Sequence, residues 1–188
     1  MHKRTFLATL GLATMIAACS TTSPSVATDP GATRANIDAS VDGAMNKLYA
    51  QDPGSRELVA KARGVLVFPS VVSAGFVVGG SYGKGALLVH GRTEGYYSTT
   101  AGSVGLLAGA DSKAVFFLFM NDESLAKFRD SKGWTAGADA SVSVIKAGAN
   151  AGVDTQTMQA PVIGYVLTNG GLMANLSVDG TKVSRLAI

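Results

Sequence analysis

Gly64-Val65-Leu66-Val67-Phe68-Pro69-Ser70-Val71-Val72-Ser73-Ala74-Gly75-Phe76-Val77-Val78-Gly79-Gly80-Ser81-Tyr82-Gly83-Lys84-Gly85-Ala86-Leu87-Leu88-Val89 is where the apolar spacing of the chain changes. Before it, hydrophobic residues recur every three or four positions. From Val65 onward they come in short runs rich in β-branched side chains, broken by Pro and Gly, which reads as strands. Val65–Phe68 is a strand closed by Pro69, and Ala74–Val78 and Ala86–Val89 are strands flanking the cluster Gly79, Gly80, Gly83 and Gly85. Such glycines let strands approach closely or bend.

The strand pattern continues to the C-terminus. Arg92–Ser98, Val104–Leu107 and Ala114–Met120 follow in the same style. The last of these has seven residues, which suits a core strand and is too short for a membrane-spanning strand of about 9–11 residues. Ala138, Ala140, Val142 and Val144 alternate as a half-buried strand, and Asn169-Gly170-Gly171 between Pro161–Thr168 and Leu172–Val178 is a hairpin signal, because these residues accept positive φ.

Working back toward the N-terminus, Ile37, Val41, Ala44, Met45 and Leu48 form one apolar stripe, predicting a helix of about fourteen residues from Asn36. Asp52-Pro53 predicts a second helix with Asp as its cap and Pro in its first position, ended by Gly64. Asn121 or Asp122 caps a third through Phe128. Two or three helices with seven or eight strands predict a single α+β domain, with a curved, mostly antiparallel sheet or incomplete β-barrel.

The N-terminus carries a different message. Lys3 and Arg4 precede the nearly uncharged Phe6–Ile16, then small residues lead to Cys19. This is the order of an export signal, and its apolar part is far short of the ~20 residues a spanning helix needs. Ile16-Ala17-Ala18-Cys19 resembles a bacterial lipoprotein signal, with Ile where Leu is usual. That resemblance implies cleavage after residue 18, covalent diacylglycerol and an acyl chain (palmitate class) at Cys19, and, with Ser20 rather than Asp next, a place on the periplasmic face of the outer membrane. Cys19 is the only cysteine, so no disulfide within the chain exists. Residues 1–18 are then the signal peptide, 19–34 a lipidated tether rich in Ser, Thr, Pro and Ala, and 35–188 the domain.

Composition narrows the function. The formal charge is +3, but the signal carries Lys3 and Arg4, leaving fourteen basic against thirteen acidic residues. A charge near +1 gives no general case for nucleic acid. Gly79–Gly85 lacks the Gly-Lys-Ser/Thr order of a phosphate loop, and a strand follows where a helix is required. His90 is the only histidine beyond residue 18, so neither a His/Cys metal cluster nor a catalytic triad with a nucleophile elbow can be assembled, and neither an enzyme nor a cofactor is expected.

GVLVFP (Gly64–Pro69), AGFVVGGSYGKGAL (Ala74–Leu87), GSVGLLAGADSKAVFFLFMNDESLAKF (Gly102–Phe128), GADASVSV (Gly137–Val144) and GYVLTNGGLMANLSVDGTKV (Gly164–Val183) together resemble the SYLF domain family, the Ysc84-type family of lipid- and actin-binding domains. The likeness runs in order from Ile37 to Val183, and the chain departs from it at Tyr96-Tyr97-Ser98, where many members have Trp and then Pro. Eukaryotic members bind phosphoinositides and membranes, and some bundle actin. For an exported chain the resemblance implies recognition of phospholipid or a bilayer surface by a basic cluster beside an amphipathic helix. The candidate cations are Lys47, Lys61, Arg63, Lys84 and Arg92. The alternative is an envelope scaffold that binds a protein partner and has no lipid pocket.

Overall fold

The computed structural model describes residues 29–75, 78–104, 109–145, 159–168, 171–172 and 178–188. The expected signal peptide, Cys19, the tether to residue 28, residues 105–107 of the expected fifth strand, Asn169-Gly170 and most of Leu172–Val178 lie outside them.

Helix α1 spans Pro30–Gln51, six residues earlier than the apolar stripe predicted and inside the segment read as tether. The cause is local: the Asp29 carboxylate accepts a hydrogen bond from Gly31 N at 3.0 Å, and Pro30 occupies a first-turn position where its missing N–H is harmless. The stripe from Ile37 to Leu48 is buried as expected. Asp52 ends α1 rather than capping α2, its N–H donating to Leu48 O at 2.8 Å. Its carboxylate accepts from Gly54 N at 3.1 Å, which closes a turn through Pro53 and moves the start of α2 to Ser55. Helix α2 is Ser55–Lys61, ending before Gly64.

Four long strands follow: β1 Gly64–Gly75, β2 Val78–Val89, β3 Arg92–Val104 and β4 Gly109–Phe119. The sequence reading ended strands at Pro69 and at the glycine cluster; the structure runs through both. Pro69 is tolerated within a central strand because it sits in a bulge. Phe68 and Val71 face Val115 and Lys113 of β4, so that Pro69 and Ser70 oppose the single Ala114, and the same slip occurs against β2 between Val67 and Ser70. The bulge pushes backbone toward β2, and there the glycines are required: a Cβ on Gly85 would lie 1.9 Å from Val67 O, and one on Gly83 2.8 Å from Ser70 O. A bulge also bends its strand and increases local twist, which suits a sheet that curls.

After β4 come α3 (Asp122–Asp130), β5 (Trp134–Thr135), β6 (Val142–Val144), β7 (Val162–Thr168), β8 (Gly171–Leu172) and β9 (Lys182–Arg185). Asn121 caps α3 as read, accepting from Ser124 N at 2.8 Å. The alternation from Ala138 yields only the short β6. Gly137 adopts φ +84°, and the Asp139 carboxylate accepts from Thr135 N at 2.6 Å, closing a turn that takes Ala138 out of strand geometry. Thr168 pairs with Gly171, as the hairpin signal required.

One sheet contains all nine strands, in the order β5-β9-β3-β2-β1-β4-β7-β6 with β8 paired to β7. It is antiparallel except for the parallel β6–β7 pair among the described strands. The described residues form a single α+β domain, a curled, open half-barrel with three helices. Both sheet faces are covered. Val65, Val67, Phe116, Leu118, Ile163 and Tyr165 pack under α1 and α2; Leu66, Phe68, Phe117, Phe119, Val162 and Val166 face the opposite side, against α3 and Trp134. Alternate residues of Val65–Phe68 in β1 and Ala114–Phe119 in β4 thus enter two different cores, which explains why these stretches are continuously apolar rather than alternating.

Candidate functional site

Helix α1 crosses the helical face of the sheet and leaves ground open on both flanks. Asp42, Met45, Asn46 and Tyr49, at spacings of three, one and three, line a cleft toward α2; Ser40, Gly43, Ala44 and Lys47 line a smaller one toward the middle of the sheet.

The smaller cleft, of about 280 Å³, includes Ser70 and Ser112, whose hydroxyls lie 2.9 Å apart. Ser70 is the register partner of Lys84, and two residues further along, Val72 pairs with Tyr82 on one side and Ser112 on the other. Side chains two apart on a strand share a face, so Lys84, Ser70, Tyr82, Val72 and Ser112 form one exposed surface beside α1. Val72 and Tyr82, each 48% exposed, are the only exposed large hydrophobics among the described residues. They are adjacent, with cations and hydroxyls around them. Lys113, the residue after Ser112 in β4, also lines the smaller cleft and is half-buried; burial holds its ammonium below the usual lysine range, with Asp111 opposing that shift.

The five candidate cations do not form one cluster. Lys47 lines the same small cleft as Ser70, and Lys84 is the register partner of Ser70 across the β1–β2 ladder. Lys61 pairs with Glu57 one helical turn away at 2.7 Å, and Glu57 is held below the ordinary carboxylate range by that hydrogen bond and the lysine charge. Arg63 lies 3.6 Å from Asp122 at the start of α3. Arg92 opens β3 at the turn after β2, the far end of that strand from Tyr82. Neither Lys84 nor Arg92 lines any of the three cavities described.

The larger cleft, of about 830 Å³, lies between α1, α2 and the start of β1 and end of β2. Met45, Val59, Val65 and Leu88 line it. Arg56 stacks over the Tyr49 ring with its guanidinium carbon 4.4 Å from the centroid, a cation–π contact. Partial burial raises the Tyr49 ionisation, with Arg56 pulling the other way. His90 stands on the rim in the two-residue turn between the paired Val89 and Arg92; its φ is +51° and that of Gly91 is +74°. The turn is tied to α1 by Asp38, whose carboxylate accepts from Thr93 Oγ1 and Tyr96 Oη at 2.9 Å each. Sequence reasoning passed over Arg56, Tyr49 and Asp42. The repeat Asp42-Met45-Asn46-Tyr49 beside the core stripe was the available signal, but the Tyr49–Arg56 stack depends on the Asp52–Gly54 turn, which periodicity does not encode.

Among the described residues, no group of three or more His, Cys, Asp or Glu could hold a metal ion, and no helix is long and apolar enough to cross a membrane. The third cavity, about 340 Å³ at the start of α3, is lined mainly by polar residues, including Glu123, Lys127 and Asp139.

No curated protein matches the chain. The family model described as Ysc84, Las17-binding protein actin regulator, matches residues 100–186, from the end of β3 through β9, a match consistent with the SYLF (Ysc84-type) resemblance.

Proposed function

We propose that this protein is an exported lipoprotein, acylated at Cys19 and held on the periplasmic face of the outer membrane, whose SYLF domain is a binding module rather than an enzyme and contacts phospholipid at a bilayer surface. The observation that supports this reading is the exposed pair Val72 and Tyr82 beside Lys84, Ser70 and the Lys47 cleft. A tyrosine places its ring at the boundary of head group and acyl chain and its hydroxyl in water, and each lysine near an anionic surface contributes about 1 kcal/mol. These are weak contacts, and weak contacts suffice for a tethered domain, because a short linker gives an effective concentration in the mM range. Lys61, Arg63 and Arg92, the remaining candidates, lie at other parts of the surface and would add only long-range attraction.

The test is co-sedimentation of the Cys19→Ser chain with vesicles of phosphatidylglycerol and of phosphatidylcholine at low salt. The chain is expected to sediment with the first and to be released by Lys47→Glu/Lys84→Glu and by Tyr82→Ser. Absence of binding to anionic vesicles sinks the reading. The family description, which names protein binding, favours a second reading in which the same surface holds an envelope protein; inert vesicles together with a stoichiometric partner in pull-downs select it. The anchor has its own check: Cys19→Ser should abolish metabolic labelling by palmitate and release the chain from the membrane fraction.

A further inference from the structure

We propose that the cleft between α1, α2 and the β2–β3 turn binds a single anionic amphiphile, an alkyl chain bearing a carboxylate or phosphate head, independently of the bilayer contact.

The cleft lies on the other flank of α1 from Val72, Tyr82 and Lys84, and different residues build it. Its volume of about 830 Å³ falls in the range of sites that enclose one small molecule, whereas a protein partner needs a face of roughly 800 Å² on each side. Met45, Val59, Val65 and Leu88 offer an alkyl chain an apolar wall. Arg56 supplies the head-group contact. Its guanidinium is stacked on Tyr49 and takes part in none of the ion pairs among the described residues. Stacking occupies the flat face of a guanidinium and leaves its in-plane N–H donors for an acceptor, and that fork matches a carboxylate or phosphate. Asp42 lines the same cleft seven residues before Tyr49 on α1, about 10 Å along the axis at 1.5 Å per residue. A carboxylate there repels an anion, so the head group is set at the Arg56 end and the chain runs toward Leu88.

The experiment uses the purified Cys19→Ser chain without vesicles and two probes below their critical micelle concentrations: a dansyl-labelled undecanoic acid read by fluorescence, and lysophosphatidylglycerol as competitor. Saturable one-to-one binding is expected. Arg56→Gln should weaken it by at least about tenfold, the value of one charge-assisted contact. Leu88→Trp, which fills the cleft, should abolish it, and Lys132→Ala, on the exposed segment after α3, should leave it unchanged. Displacement by the lysophospholipid identifies a phosphate head as acceptable; failure to displace restricts the site to carboxylates. Non-saturable binding, or unchanged affinity in Arg56→Gln, overturns the proposal. Should Leu88→Trp lower the melting temperature, the exposed Arg56 decides alone. Because no bilayer is present, failure of the vesicle experiment leaves this result standing.

Discussion

Two residues show how little room the sheet allows. At Gly85 even a methyl group would meet the Val67 carbonyl at 1.9 Å and the Phe68 ring at 2.7 Å, and backbone cannot rotate aside as a long side chain can. Gly85→Ala should therefore destabilise by more than the usual ~1–3 kcal/mol of an overpacked site, read as loss of a cooperative thermal transition. Tyr165 is the converse case. Its ring is buried between sheet and helices, and its hydroxyl makes no hydrogen bond of acceptable geometry. Burial first, and then the nearby Asp52 carboxylate, push its ionisation far above the usual phenol range. A folded-state pKa raised above the unfolded value favours the protonated form, so stability is full below about pH 10 and falls as the pH rises past it, where only the unfolded chain releases the proton. Tyr165→Phe should be neutral or stabilising by about 1 kcal/mol at pH 7 and should flatten the alkaline decline in urea melts. Tyr49, Tyr96 and Tyr97 are shifted the same way, chiefly by burial, so a shallower decline should persist in the variant.

At the scale of elements, the caps decide where helices begin. Asn121 holds the first turn of α3 through Ser124 N, and Ser124 Oγ donates to Asn121 O and Pro161 O at 3.0 and 3.1 Å, fixing the helix against the approach to β7. Asn121→Ala should cost about 1 kcal/mol, a fall of roughly 2–4 °C in Tm for a domain of this size, measurable by circular dichroism. This cap was legible in the sequence, as were the α1 stripe and the Asn-Gly-Gly hairpin, because each rests on neighbours within four residues. The extent of β1 and β2 was not. Pro69 and the glycines are strand breakers by propensity, and they become strand residues only because the bulge on β1 and the missing side chains on β2 fit one another. That complementarity joins positions some fifteen residues apart, and no local pattern announces it. The candidate site divided along the same line: Lys47 and Lys84 could be named from their types and positions, while their placement on either side of Ser70, one across the cleft and one across the ladder, required the register.

For the whole molecule, α1 is the organising piece. One stripe seals the core under the sheet, and its two flanks border the proposed lipid cleft and the proposed bilayer surface. Its N-terminal half is fastened at two points, by Asp38 to the β3 side of the turn and by the Arg34 guanidinium to the Ile188 main-chain oxygen at 3.0 Å. The far edge of the sheet is fastened by β9. Lys182–Arg185 pairs with Thr100–Tyr97 on one side, and on the other Val183 pairs with Trp134, bringing buried Val183 into the aromatic core beside Tyr97 and Phe128. Removal of residues 182–188 uncovers Trp134 and Thr99, and the truncated chain should lose native tryptophan fluorescence and become protease-sensitive. The same strand has a consequence in time. Tyr97 waits for Arg185, so this side of the sheet cannot close until Arg185 has been made, and pairing over such separations is slow. A chain synthesised from its N-terminus passes most of its synthesis without that edge. For a chain exported as proposed above, this built-in delay would keep the polypeptide translocation-competent until β9 arrives.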